Sequence, residues 1–203
     1  MNKLIVSLLL TVGISGIAHA AGDTTAGQAK AAVCGACHGP DGNSMAPNFP
    51  KLAGQGERYL NKQLHDIKSG KRTVLEMTGL LTNLSDQDLA DLAAYFSSQK
   101  GSVGAADPKV VARGEALFRG GDLTKNMPAC TGCHSPNGAG NAAAGFPHLG
   151  GQHAQYVAKQ LTDFRKEEGG RTNDGDTKIM QTIAKKMSDE EIAAVSSYIQ
   201  GLH

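Results

Sequence analysis

Apolar side chains recur at intervals of three and four residues in four stretches of the 203-residue chain, with polar residues between them. Tyr59, Leu60, Leu64 and Ile67 make one such set, and Tyr156, Val157, Leu161 and Phe164 a second. Leu89, Leu92, Tyr95 and Phe96 make a third, and Ile192, Val195, Tyr198 and Ile199 a fourth. That spacing puts each set on one face of an α-helix, whose turn takes about 3.6 residues. Ser85 with Asp88, and Ser188 with Glu191, open the third and fourth stretches as capping boxes: serine and acid satisfy the free N–H groups at a helix start. Shorter helices are predicted over 25–33 and 107–118, the second with Asp107 as its cap and Pro108 in its first turn. No stretch alternates with period two, so the expected fold class is all-α.

The four faces are two copies of one pattern. Phe49-Pro50-Lys51-Leu52-Ala53-Gly54-Gln55 matches Phe146-Pro147-His148-Leu149-Gly150-Gly151-Gln152 at an offset of 97, and the capping boxes match at an offset of 103. The chain is read as a tandem duplication. Lys100 to Ala106 has linker composition, which divides the chain into a unit at 21–99, a linker at 100–106 and a unit at 107–203. Ahead of them, Met1-Asn2-Lys3, the apolar run Leu4 to Ile17 and the small-residue triplet Ala18-His19-Ala20 read as a secretory signal peptide, 1–20, cleaved after Ala20. Nothing downstream approaches the roughly 18 apolar residues that a membrane span requires. Cleavage removes Lys3 and leaves 19 basic against 19 acidic side chains. Neither half is a charged pole, with eight of each sign in 21–104 and eleven of each in 105–203. Without a basic block or any Trp, nucleic acid is not an expected partner. Aromatic residues are only 4% of the chain, few for two small cores, and a bound apolar cofactor would supply the missing volume.

All four cysteines fall in two motifs of one form, Cys34-Gly35-Ala36-Cys37-His38 and Cys130-Thr131-Gly132-Cys133-His134. Two thiols three residues apart can add across the two vinyl groups of one haem, and the following histidine then lies beneath the iron as its proximal ligand. Competing explanations account for less. A disulfide framework gives no reason for a histidine after each pair. Zinc ribbons and knuckles bring their pairs far closer than the 93 residues separating Cys37 from Cys130. A thioredoxin-like motif would need a βαβ context. The expected cofactors are therefore two covalently attached haem c groups.

His38 and His134 take one face of each iron, and the repeat indicates the opposite ligand. Met77 aligns with Met180, each eight residues before the capping serine, whereas Met45 and Met127 have no counterpart and Met187 aligns with Leu84. Met77 and Met180 are therefore the candidate thioether ligands, and the other three are expected to fill space. No other histidine recurs: His65 aligns with Thr162, His148 with Lys51 and His153 with Gly56, while His203 is terminal. Met/His ligation raises the reduction potential and leaves no open coordination position, which suits electron transfer rather than oxygen or peroxide chemistry.

These motifs in combination resemble two tandem class I cytochrome c domains, and the mature chain resembles the di-haem cytochrome c4 family of bacterial periplasms. The resemblance implies a few helices wrapped around one haem c in each half. It also implies a soluble or loosely membrane-associated periplasmic carrier, monomeric and not an enzyme. Such a carrier takes electrons from a donor such as a quinol-oxidising complex and delivers them to a respiratory terminal oxidase. It implies further that Pro50 and Pro147 offer their carbonyls to the proximal histidines and that Leu52 and Leu149 pack on the haem faces. Arg72 and Arg171 match between the halves and are read either as propionate partners or as solvated arginines. Tyr59 and Tyr156 are read as core residues or propionate donors. One departure is the interval from His134 to Met180, 46 residues against 39 from His38 to Met77, so Glu167-Glu168 and the stretch from Asn173 to Thr177 are expected to loop out. The rival reading is a di-haem subunit of a periplasmic dehydrogenase, such as a flavocytochrome sulfide dehydrogenase. A di-haem peroxidase would need one exchangeable haem ligand, against which the paired methionines argue.

Overall fold

The computed structural model describes residues 22–203. The signal peptide expected at 1–20 lies outside the described residues. In the first half, α1 (Thr24–Lys30) continues into a 3-10 turn (Ala31–Val33) and the single turn α2 (Gly35–His38), followed by α3 (Glu57–Lys68), a 3-10 turn (Leu75–Met77) and α4 (Asp86–Ser98). The second half repeats the order with α5 (Val111–Gly120), a 3-10 turn (Leu123–Lys125), α6 (Thr131–His134), α7 (Ala154–Arg165), α8 (Ile179–Ala184) and α9 (Asp189–Gly201). Among the described residues the only β pairing is two isolated bridges, Asp122 with Met127 and Asn141 with Phe146. No helix among them is long and apolar enough to cross a membrane.

Each half is organised by one helix crossing, α1 on α4 and α5 on α9. Both depend on a glycine. A Cβ at Gly27 would lie 2.0 Å from the Asp91 carbonyl oxygen, and one at Gly114 would lie 2.2 Å from that of Ala194. Only a residue without a side chain lets the two backbones approach so closely. Asp23 caps α1 by accepting from the N–H groups of Thr25 and Ala26. Ser85 with Asp88 and Ser188 with Glu191 form complete capping boxes at the starts of α4 and α9. Beneath the crossings lie separate cores. The first gathers Leu60, Leu92, Tyr95 and Phe96. The second is larger and gathers Leu117, Phe118, Leu161, Ile192 and Val195.

Three local expectations need correction. The helix expected from Asp107 begins at Val111, because Asp107 first organises a turn: its carboxylate accepts from Lys109 N–H at 2.9 Å and its carbonyl from Val110 and Val111 at 3.2 and 3.0 Å. An aspartate side chain closing on its own backbone competes with helix initiation. Met127 and Met187 are buried, but Met45 is 92% exposed and fills no space. It sits in a turn whose neighbour Ser44 is held inward by donating to the Phe49 carbonyl at 2.7 Å, which turns the next side chain outward. Between α7 and α8, Glu167 and Glu168 do loop out, but Asn173 turns back to donate to Gln63 and Asp66 of the first half at 3.0 and 2.8 Å.

The segment 100–106 lacks regular structure yet is held on both sides. The Asn43 side chain donates to the Lys100 carbonyl at 3.0 Å and accepts from Ser102 N–H at 2.8 Å. Gly104 N–H donates to the Gln200 carbonyl at 3.0 Å, and the Gln200 side chain donates back to Ala105 at 2.8 Å.

Candidate haem sites

Each Cys-X-X-Cys-His motif is wound into one helical turn, with His38 N–H donating to Cys34 and His134 N–H to Cys130, both at 2.9 Å. The turn sets the two thiols three residues apart on one side. The four cysteines are free. The chain must then reverse, which it does at positive φ, +79° at Gly39 and +67° at Ser135. Both histidines are buried, 8% and 7% exposed. His38 Nδ1 lies 2.9 Å from the Pro50 carbonyl oxygen, and His134 Nδ1 lies 3.0 Å from that of Pro147. A carbonyl can only accept, so Nδ1 carries the proton and Nε2 keeps its lone pair. Burial lowers the pKa of both rings and outweighs the carbonyl bond that works in the other direction, so the imidazoles are neutral. Phe49 and Phe146 stand against the rings at centroid distances of 6.3 Å in each half. Burial also pushes the Cys34 thiol up, and the Cys130 thiol to about 11.

Met77 closes the 3-10 turn before α4, and Met180 is the second residue of α8; both are half-buried. Met180 and Leu149 pack against the second core, and Leu52 against the first. The two methionines therefore match in sequence position but sit on unlike elements, a tight turn in one half and a helix in the other.

The two matched arginines are brought together. Arg72 donates to Gln63 of its own half at 2.8 Å and, across the seam, to Tyr156 Oη and Gln160 Oε1, both at 3.0 Å. Arg171 mirrors it, donating to its own Gln160 at 2.8 Å and across to Tyr59 Oη at 3.1 Å and Gln63 Oε1 at 2.9 Å. Among the described residues neither arginine is paired with a carboxylate. Burial pushes the Tyr59 hydroxyl up, but Arg171 and Arg72 together outweigh it and hold its pKa below the usual phenol range. Two guanidinium groups thus share one tyrosine–glutamine cluster at the centre of the seam.

The last residue of the repeated motif has a role that sequence reading missed. Gln152 accepts from Lys51 N–H and donates to the Lys51 carbonyl, both at 2.9 Å, while Gln55 makes the same pair of bonds to His148 at 2.8 Å each. Both glutamines are 7% exposed. His153 adds a contact through Nε2 to the Ser44 carbonyl at 2.8 Å. The recurrence of Gln55 as Gln152 was a visible signal; which surface it served was not.

The donor set fits haem c. In each half two free thiols precede, by four residues and by one, a neutral imidazole whose Nε2 is available, an apolar core lies behind it, and arginines without carboxylate partners meet at the seam, where they suit the acidic edge of a haem. Comparison with known proteins agrees. The family model described as "Cytochrome c" matches residues 24–100 and 111–203. The chain is similar to cytochrome c4 of Pseudomonas aeruginosa, 81% identical over 203 residues and the whole of both chains. It is similar to the crystal structure of reduced recombinant cytochrome c4 from Pseudomonas stutzeri, with a TM-score of 0.88 and 70% identity, covering 90% of this chain and 100% of that one. More distantly, it is 39% identical over 176 residues to a thiosulfate dehydrogenase electron acceptor of Stutzerimonas stutzeri, covering 83% of this chain and 78% of that one.

Proposed function

Because this chain belongs to the cytochrome c family, as a cytochrome c4 electron carrier with two covalently attached haem c groups, we propose that it moves single electrons through the periplasm from a donor such as a quinol-oxidising complex to a respiratory terminal oxidase. The observation that carries this reading is the duplication of one complete donor set, with neither half given over to a different chemistry. The haem groups supply a one-electron iron couple. Cys34 with Cys37, and Cys130 with Cys133, would anchor them, while His38 with Met77, and His134 with Met180, would supply the ligands to each iron. A thioether paired with an imidazole would favour the ferrous state and leave the iron no position for a substrate. Pro50 and Pro147 orient the imidazoles through their carbonyls; Leu52 and Leu149 would line the haem faces, and Arg72 and Arg171, which meet across the seam, would hold the propionates. The units are 21–99 and 107–203 on the linker 100–106, exported by a signal peptide cleaved after Ala20.

The test is to mix reduced protein with membranes containing a haem–copper oxidase and to follow oxygen uptake. Oxidation at a rate dependent on protein concentration supports the carrier reading. The thiosulfate dehydrogenase electron acceptor among its relatives favours one second reading, a partner held by a periplasmic dehydrogenase. Failure to react with the oxidase, with tight co-purification of a dehydrogenase, would establish that reading instead.

A further inference from the structure

Each proximal histidine is hydrogen-bonded to a peptide group whose other end is held by the opposite half of the molecule. The carbonyl of Pro50 and the N–H of Lys51 belong to one planar peptide unit. At its oxygen end this unit accepts from His38 Nδ1 at 2.9 Å, and at its nitrogen end it donates to Gln152 Oε1 at 2.9 Å. The second half has the reciprocal arrangement: the unit formed by Pro147 and His148 accepts from His134 Nδ1 at 3.0 Å and donates to Gln55 Oε1 at 2.8 Å. The glutamines are well fixed for this task. Gln152 Oε1 also accepts from His153 N–H at 3.0 Å, and Gln55 Oε1 from Gly56 N–H at 2.9 Å, while each side-chain amide donates to the neighbouring carbonyl across the seam.

We propose that Gln152 and Gln55 are positioning residues that tune the iron of the opposite half, Gln152 acting on His38 and Gln55 on His134 through the intervening peptide. Drawing the peptide N–H into a hydrogen bond shifts electron density along the conjugated unit toward its oxygen, because bonds in series polarise one another. The oxygen then accepts more strongly from Nδ1–H, the imidazole gains anionic character, and its Nε2 donates more strongly to the metal. A stronger donor favours the ferric state. Docking of the two halves therefore lowers both reduction potentials, each through a residue that the other half supplies. The haem edge and the distal methionine take no part in this relay.

The proposal rests on His38 and His134 being the axial ligands, and the experiment separates the two ideas. Gln152→Met and Gln55→Met keep side-chain length and remove the strong acceptor. Both holoproteins are titrated spectroelectrochemically, with each haem assigned by its hyperfine-shifted proton resonances. Gln152→Met should raise the potential of the N-terminal haem and displace the His38 Nδ1–H resonance while leaving the C-terminal haem in place; Gln55→Met should do the converse. A crossed pattern is the signature, since general loosening of the seam would move both haems together. An equal shift in both haems, a shift confined to the substituted half, or no shift overturns the relay. Should one variant not accumulate as holoprotein, the other decides, because each relay is complete in itself. Absence of histidine-ligated low-spin spectra in the parent protein would overturn the ligand assignment and the relay with it; intact spectra with unmoved potentials overturn the relay alone.

Discussion

His38 and His134 each spend one ring nitrogen on a backbone carbonyl, and the lone pair left at Nε2 follows from that bond rather than from the residue type. For the ligands proposed at Met77 and Met180, the decisive property is side-chain softness. Met77→His should lower the potential of the N-terminal haem by roughly 0.1 V or more, because imidazole stabilises the ferric ion better than a thioether does. The same change should abolish the long-wavelength sulfur-to-iron absorption of that haem, a measurement that needs only the ferric spectrum. Retention of both haems' sulfur bands in the variant would show that another residue is the ligand. Much at this scale was readable in the sequence, since a five-residue motif names its own thiols and histidine. Arg72 and Arg171 were legible only as a matched pair with two readings. Their partners Tyr156, Gln160, Tyr59 and Gln63 lie across the seam, on the half that local pattern cannot align with them.

At the scale of elements, helix existence followed from apolar spacing, and helix starts followed it where a cap was unambiguous. Asp88 in the α4 capping box is held at about 2, first by its hydrogen bonds with Ser85 and then by Lys30. A carboxylate whose folded pKa lies below its usual value of about 3.9 stabilises the fold above that value, and its contribution fades as pH falls toward about 2. Thermal midpoints of the parent and of Asp88→Asn should therefore differ near neutrality and converge as pH falls through that window. The crossings obey a harder constraint. Gly114→Ala would drive a methyl into the Ala194 carbonyl 2.2 Å away, so α5 must separate from α9. A loss of about 1–3 kcal/mol is expected, as for other overpacked sites, read as a lower denaturation midpoint of the holoprotein. The start of α5 escaped sequence reading because Asp107 serves equally well as a cap or as the head of a turn, and its neighbours decide which.

At the scale of the molecule, the short segment between the halves is part of the packing rather than a tether. Asn43 of the first half grips it at Lys100 and Ser102, and Gln200 of the second half grips it at Gly104 and Ala105. Limited tryptic digestion of the native protein should spare Lys100 although its side chain faces solvent, and Asn43→Ala, which removes two of the holding bonds, should speed cleavage there severalfold. Equal cleavage rates in the two proteins would show that the segment is already free. The seam itself is polar and reciprocal, built from glutamine–backbone pairs and an arginine–tyrosine–glutamine cluster on each side. Such groups stabilise a unique arrangement only when every member is bonded, so the halves are expected to hold one mutual orientation.

The duplication, the all-α class, the two thiol pairs and their histidines are legible along the chain, because each is a short-range pattern whose chemistry is complete within a few residues. What the halves do to one another emerges only once they are packed together. Gln55 and Gln152, Tyr59 and Tyr156, and Arg72 and Arg171 each recur at matched positions, but recurrence is equally compatible with serving their own half or the other. The pattern along the chain pointed the wrong way for Met45, expected to fill space but facing solvent, and for Asn173, expected to loop out but returning to the first half, since burial depends on which distant surface arrives opposite a side chain. The physical reason is common to all of these. A covalent or helical requirement acts along the chain and leaves its spacing in the sequence, whereas a seam between two folded units is a meeting of surfaces whose partners are nearly a hundred residues apart.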